Sequence, residues 1–403
     1  MKILIAHNYY QQAGGEDHCV TAEVAMLQDN GHEVIRYSLH NDAIESMGRL
    51  QIGLRTIWSR TGYHDIRETI RAHRPDVVHF NNTFPLISPA AYYAARAEGV
   101  PVVQTLHNFR LLCPNALFFR DGKVCEDCLG KSIPWPGVVH KCYRGSRAAS
   151  ATVAAMVTTH RANGTWRNAV DAYITLTEFG RKKFIEGGLP AAKLVVKPNF
   201  VYPDPGPGAG KGGYAIYVGR LSEEKGVETL LTAWKTLGAT VPLKIVGGGP
   251  LADLVARAAT PGSGIESLGS RPLDEVYRLI GEASVLVLPS QCYENFPRVV
   301  IEAYAKGTPV IASDLGAMAH VVDHGRTGRR FVPGDPTDLI CQVRGLLADA
   351  PELDRMRQTV RREYEQHYTA QTNYRTLMAI YEGARAGIAA PAGAHREVEP
   401  RVP

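Results

Sequence analysis

Two carboxylates and two cations in the second half of the chain have the types and spacing to hold a charged, hydroxylated ligand. Glu294 and Glu302 lie in SVLVLPSQCYENFPRVVIEAYAKG, residues 284–307, with seven residues between them. Glu294 falls in a polar turn just before a helix, and Glu302 falls within that helix. A turn between a buried parallel strand and a helix N-terminus is where open α/β sheets bind ligands. A surface Glu followed by a solvated helical Glu remains the plainer alternative for this stretch alone. Arg220 and Lys225 lie in GRLSEEKG, residues 219–226, where a strand gives way to a helix. Arg can clamp two oxygens and Lys adds a point charge, so the pair suits a diphosphate. Solvation of both at the surface is again the alternative.

Three further groups carry chemistry. His107 closes the apolar run VPVVQTLHN and would face a cleft at a strand's carboxyl end, although a lone His is more often structural. Gly247, Gly248 and Gly249 follow PLKIV; with Ala252 and Glu266 they satisfy a dinucleotide fingerprint, which makes an NAD-dependent oxidoreductase the rival reading. Pro250 intrudes on that match. Cys113, Cys125, Cys128 and Cys142 are four of the seven cysteines and fall within residues 109–147. A Cys-x-x-Cys pair flanked by one Cys on each side is ligand spacing for a tetrahedral structural zinc, with His140 able to replace one ligand. Reduced thiols and a redox or iron–sulfur role stay open.

The elements that must position these residues alternate. Strands are predicted at 2–8, 32–39, 76–82, 100–108, 171–177 and 194–200. Helices are predicted at 16–30, 88–98, 148–163 and 178–186. Gly14 and Gly15 sit in the loop after the first strand, where backbone N–H groups could meet an anion or a sugar hydroxyl; a tight turn explains them equally well. The second half repeats the pattern, with strands at 214–219, 242–246, 265–269, 284–289 and 309–314, and a helix after the glycines at 247–249. Its helices are expected at 227–237, 272–282, 297–307, 336–348 and 350–367, and a last one at about 370–385. The order predicts two doubly wound parallel sheets. Pro297 suits the first position of its helix, and Gly307 suits the stop. PDPGPGAGKGG, residues 203–213, reads as a linker, and its Gly-Lys lacks the spacing of a phosphate-binding P-loop.

The chain has 403 residues with a net charge of +5, which allows two or three domains. The excess lies in residues 1–204, which carry 23 Lys/Arg against 18 Asp/Glu. Clustered, it would favour an anionic membrane surface or a phosphorylated substrate. No basic run interleaved with aromatics appears, so nucleic acid is not expected as a partner. No apolar run approaches a membrane span, and MKILIAHN is too short for a signal peptide, so a cytoplasmic protein is expected.

Taken in order, GRLSEEKG, GGGP, YENFPRVVIEAYAKGTPVIASDLG and GRTGRRFVPGD resemble glycosyltransferase family 4. The Gly14–Gly15 loop, TLHNF and KPNFV resemble its first half, and the Cys-rich insert resembles a bacterial surface-polysaccharide subset. The resemblance implies a GT-B fold with two facing Rossmann-like domains. It implies a retaining, nucleotide-sugar-dependent enzyme that moves a hexosyl-type sugar to a saccharide or lipid-linked saccharide. The donor would carry UDP or GDP, and no cofactor would be needed for catalysis. Arg220 and Lys225 would bind the diphosphate, Glu302 the ribose, and Glu294 the transferred sugar. Asn295 and Phe296 would offer backbone N–H groups, Val299 would border the nucleotide, and Gly247–Gly249 would lie near the base. Gly14, Gly15 and His107 would face the sugar and acceptor, with His107 counted among the catalytic residues beside Glu294, Arg220 and Lys225. Two departures bear on donor recognition: Pro297 stands where Gly is common, and His320 stands where Glu is common. A nucleotide-sugar epimerase of the same fold is a further alternative. The implied boundaries are 1–202 for the acceptor-side domain, 203–213 for the linker and 214–368 for the donor domain. A crossover helix at 369–386, packing on the first domain, and a disordered tail at 387–403 complete them.

Overall fold

The computed structural model describes residues 1–11 and 14–387. The tail expected to be disordered lies, from residue 388 on, outside them. The chain divides into two compact units. The first comprises residues 1–118, 126–199 and 373 onward; the second comprises 119–125 and 200–372.

In the first unit the strands are β1 (Lys2–Tyr9), β2 (Glu33–His40), β3 (Val77–Phe80) and β4 (Val102–Leu106). A short hairpin, β5 (Phe119–Arg120) and β6 (Lys123–Val124), interrupts the series and is grouped with the second unit. The series resumes with β7 (Ala172–Thr175) and β8 (Leu194–Val196). The helices are α1 (Gly15–Asp29), α2 (Arg49–Ile57), α3 (Arg60–His73), α4 (Ala90–Ala97), α5 (Trp135–Val139), α6 (Arg147–Ala162), α7 (Thr165–Asn168) and α8 (Glu178–Glu186). No element was expected from the sequence at α2, α3, α5 or α7. The sheet order is β2-β1-β3-β4-β7-β8, parallel throughout.

The second unit holds β9 (Ala215–Val218), α9 (Val227–Leu237), β10 (Leu243–Val246), α10 (Ala252–Ala258), β11 (Ile265–Gly269) and α11 (Leu273–Glu282). It continues with β12 (Val285–Leu288), α12 (Arg298–Ala305), β13 (Val310–Ser313), α13 (Gly316–Val321), β14 (Gly328–Phe331), α14 (Pro336–Ala348) and α15 (Ala350–His367). Its order, β11-β10-β9-β12-β13-β14, is also all parallel. Central strands such as β3, β4, β12 and β13 are buried at every residue, as helices on both faces require. The Pro/Gly-rich stretch 203–213 is stitched to its own unit: Gly208 N donates to Lys306 O, Gly210 N to Gly281 O, and Gly212 N to Glu282 O. The final helix, α16 (Ala370–Ala386), belongs from Asn373 to the first unit.

Each sheet has one place where consecutive connections leave in opposite directions. In the first it is between β1 and β3; in the second it is between β9 and β12. The crevice outside the carboxyl ends of such a pair is the ligand position of open α/β sheets.

Candidate functional site

In the second unit the expected residues gather at the β9/β12 crevice. The loop after β9 carries Arg220 and Lys225, and the loop after β12 carries Glu294. Backbone contacts bring the loops together. Gly226 has φ +69, and a Cβ there would lie 1.8 Å from Pro289 O, so only glycine permits the approach. Gln291 N donates to Glu224 O at 2.8 Å. Lys225 Nζ consequently lies 2.6 Å from Glu294 Oε1, and Ser290 Oγ donates to the same oxygen at 2.7 Å. Burial alone would lower the Lys225 pKa, but the Glu294 carboxylate outweighs it and holds the ammonium charged. Both bonds land on Oε1, and Glu294 Oε2 has no partner among the described residues. Arg220 is exposed and makes no ion pair among the described residues. Its carbonyl accepts from Tyr217 Oη at 2.7 Å, which anchors the turn and leaves the guanidinium available.

The glycine loop supports that turn from beneath. Gly247 has φ +138, and a Cβ there would come within 1.9 Å of Gly219 O. Leu221 N donates to Gly248 O, and Leu251 N donates to Leu221 O, each at 2.9 Å. The glycines thus let two loops lie against each other, and Gly248 and Gly249 remain exposed beside Arg220. Glu266, the acidic residue of the dinucleotide rival, is the second residue of β11 and stands opposite Lys244, near the amino edge of the sheet. That is the wrong edge for a ribose-binding carboxylate. It lines instead a depression of about 450 Å³ with Tyr214 and Glu282, away from the strand ends that carry the loops.

Glu302 is buried in α12 and pairs with Arg298, one turn earlier, at 3.0 Å. Burial raises its pKa and Arg298 opposes the rise. Asn295 and Phe296 are buried in the turn before α12, and Val299 is half-buried. Pro297, expected at the first helical position, is the residue preceding it; the helix begins at Arg298. Gly307, with φ +69, follows the helix end as expected.

In the first unit, His107 lies just past β4, and its Nε2 is 2.9 Å from Asn81 Oδ1, just past β3. With Asn81 Oδ1 accepting, Nε2 carries the proton and Nδ1 is left as an acceptor. Burial, with a smaller contribution from His7, pushes its pKa down to about 3, so the ring is neutral at neutral pH. Gly14 caps α1 and Gly15 begins it; the Gly14 amide already donates to Asp17 Oδ2 at 3.0 Å. Asp17 in turn meets His7 Nε2 at 2.8 Å. His7, Asn81 and Ser290 were not singled out from the sequence. Each stands at or just past the carboxyl end of a strand, as His107 does, and that position was the available signal.

The cysteines do not form the expected centre. None of the seven is in a disulfide, and among the described residues no group of three or more His, Cys, Asp or Glu could hold a metal ion. Cys113 is buried, which raises its thiol pKa. Cys128 Sγ is turned toward Pro134 O at 3.8 Å. Cys113, Cys125, Cys128 and Cys142 are thus not gathered into a metal-binding group among the described residues.

Two doubly wound parallel-sheet units, with cations and a carboxylate at one switch point, define the GT-B class. The comparisons agree. Residues 212–349 match the family model described as glycosyl transferases group 1, and residues 14–199 match the glycosyl transferase 4-like domain. The chain belongs to this family-4 type of glycosyltransferases. A glycogen synthase of Mycobacterium tuberculosis is 31% identical over 47% of this chain and 45% of its own length. The chain thus matches about half the length of that relative, and less of several others. Anabaena HepE in complex with UDP-glucose superposes with a TM-score of 0.69 at 17% identity, covering 96% of this chain and all of that one. Sucrose-phosphate synthase from Thermosynechococcus elongatus gives 0.70 at 17%, covering 96% and 99%. These structural likenesses are of fold.

Proposed function

We propose that the protein transfers a hexosyl-type sugar from a nucleotide-diphosphate sugar to a saccharide or lipid-linked saccharide, with retention at the anomeric carbon, in polysaccharide biosynthesis. The observation that carries this is the Lys225–Glu294 pair beside the unpaired Arg220 at the β9/β12 crevice. Cleaving a glycosyl–phosphate bond leaves negative charge on the diphosphate and positive charge on the sugar. Arg220 and Lys225 meet the first, helped by the positive end of α12. Glu294, with Oε2 available, accepts from hydroxyls of the sugar. Holding Lys225 and Glu294 in one ion pair fixes both before the ligand arrives, so little reorganisation is left to the reaction. Glu302 binds the ribose through the oxygen that Arg298 does not occupy. Val299 borders the nucleotide, and Gly247, Gly248 and Gly249 border the base. Neutral His107, with Gly14 and Gly15, serves the sugar and acceptor side. The chemistry in this reading needs no cofactor.

UDP-glucose is bound by one structural neighbour, which makes UDP the first donor nucleotide to test, with GDP second. The acceptor and an anionic membrane partner place the work at the cytoplasmic face of a membrane. No helix among the described residues is long and apolar enough to cross one. A thermal-shift screen against UDP, GDP and their sugars tests the reading, because a ligand that binds the native state alone raises the midpoint. The R220A/E302A double variant should bind nucleotide at least about tenfold more weakly, since each lost charged hydrogen bond is worth about 1.5–3 kcal/mol. Unchanged UDP and GDP affinity in that variant would overturn the site.

A further inference from the structure

Six of the eight strongly exposed large apolar side chains among the described residues belong to two short segments of the first unit. Leu50, Leu54 and Trp58 recur every fourth residue along and just past α2 and are 77%, 62% and 40% exposed. Ile133, Trp135 and Val139, on and just before α5, are 54%, 56% and 50% exposed. Both helices pack on α6. On α2, Gly53 lies toward Thr152 of α6, whereas the Leu50–Leu54 stripe faces outward.

Charge follows the same elements. Residues 47–64 contain three Arg and residues 128–170 contain six Lys or Arg; neither stretch has a single Asp or Glu. Without those nine cations the chain would carry 36 Lys/Arg against 40 Asp/Glu, so its basic excess resides entirely in these segments. Arg49, Lys131, Lys141, Arg144 and Arg147 are exposed beside the apolar residues.

We infer that the α2–α5 face docks on the anionic surface of a phospholipid bilayer, with Leu50, Leu54, Trp135 and Val139 entering the headgroup boundary and the flanking cations meeting lipid phosphates. Exposed Trp and Leu on an amphipathic surface rimmed by Lys and Arg suit that boundary. The charge argues against a second copy of the chain as occupant, because a two-fold contact would set these carboxylate-free, basic stretches against themselves. The inference deepens the membrane partner of the proposed function and would bring a lipid-linked acceptor to the unit that carries His107.

The test is co-sedimentation of the full chain with vesicles at about 0.1 M salt, where surface charge is not yet screened out. Vesicles of phosphatidylcholine alone are compared with ones containing roughly 30 mol% phosphatidylglycerol. The wild type should partition onto the anionic vesicles and remain in solution with the neutral ones. K141A/R144A should weaken partitioning, by roughly fivefold for each cation removed, and L50E/L54E should abolish it. The substituted leucines are largely exposed, so an unchanged melting midpoint and an unchanged UDP-induced shift show that the variants are folded. Absence of wild-type binding to anionic vesicles would overturn the inference, as would L50E/L54E binding like wild type. A wild-type dimer in sedimentation that L50E/L54E dissociates would overturn it in favour of a second copy. The UDP shift reads the second unit alone, so failure of docking and failure of the donor site are separable.

Discussion

The two switch points of this protein are built from the same kind of sheet and used in opposite ways. At β9/β12 the charges are partly open: Lys225 keeps a quarter of its side-chain surface, Arg220 is unpaired among the described residues, and one oxygen of Glu294 is unused. In the first unit, next to β1/β3, the charges are sealed. Glu23 Oε2 meets Lys197 Nζ at 3.0 Å, and Lys197 also reaches Asn373 Oδ1 at 3.0 Å. His79 Nδ1 lies 3.1 Å from Glu23 Oε1 and 2.8 Å from the Tyr381 hydroxyl, while Nε2 lies 2.7 Å from Thr105 Oγ1. Burial alone would raise the Glu23 pKa, but Lys197 and His79 reverse it and lower it. Both pairs are short, so distance does not distinguish them. The difference lies in unused hydrogen-bonding capacity, which a ligand can claim in the second unit. The buried network instead ties α1, β3, β4, the segment after β8, and α16 into one body.

The largest way to break this contrast is to leave a buried charge alone. Lys197→Ala should destabilise the first unit by about 3–5 kcal/mol, measured by urea unfolding, while UDP affinity in the second unit is unchanged. Combining it with Glu23→Gln should recover part of that loss. Glu294→Ala should do the reverse, with little change in melting midpoint but a 10²–10³-fold fall in kcat, read as sugar transfer from the nucleotide sugar that the screen identifies. A catalytic loss from Lys197→Ala at a temperature where it is folded, or a large stability loss from Glu294→Ala, would erase the distinction.

A smaller effect sharpens it through pH. His107 is held at about 3 in the folded state against an ordinary 6.5, so between those values the unfolded chain binds a proton that the folded chain does not. Its contribution is fully present above about pH 6.5 and declines toward pH 3 by up to about 1.4 kcal/mol per unit. His107→Gln should flatten the fall in melting midpoint between pH 7 and 5; an unaltered slope would show that the ring is not held neutral by burial. The smallest effect is expected from Ser290→Ala, which removes one of two bonds to Glu294 Oε1. The loss should be near 1 kcal/mol, seen as a several-fold weaker kcat/KM with nucleotide affinity intact.

Much of this was legible in the chain because strand and helix patterns are local. The alternation of apolar runs with helical spacing gives both parallel sheets, and Glu294 and Glu302 were readable as a pair because one strand–turn–helix unit carries them. The Arg298–Glu302 contact follows from helical spacing alone, four residues apart. α2 and α5 went unread because each is short, and α2 turns its apolar stripe outward, so no buried face marks it.

What only the tertiary structure decided is which distant residues meet. Lys225 reaches Glu294 across 69 positions because β9 and β12 are neighbours in the sheet and Gly226 lets their loops touch. The cysteine spacing allowed a zinc centre, yet spacing sets only reach, and among the described residues no three such ligands are gathered. Composition gave the +5 charge, but the packing of α2 and α5 on one helix gathered its excess with the exposed apolar residues into a face. The sequence determined the local units and the chemical types at their ends. Sheet order and close backbone approach decided which ends were closed on themselves and which were left open to a ligand.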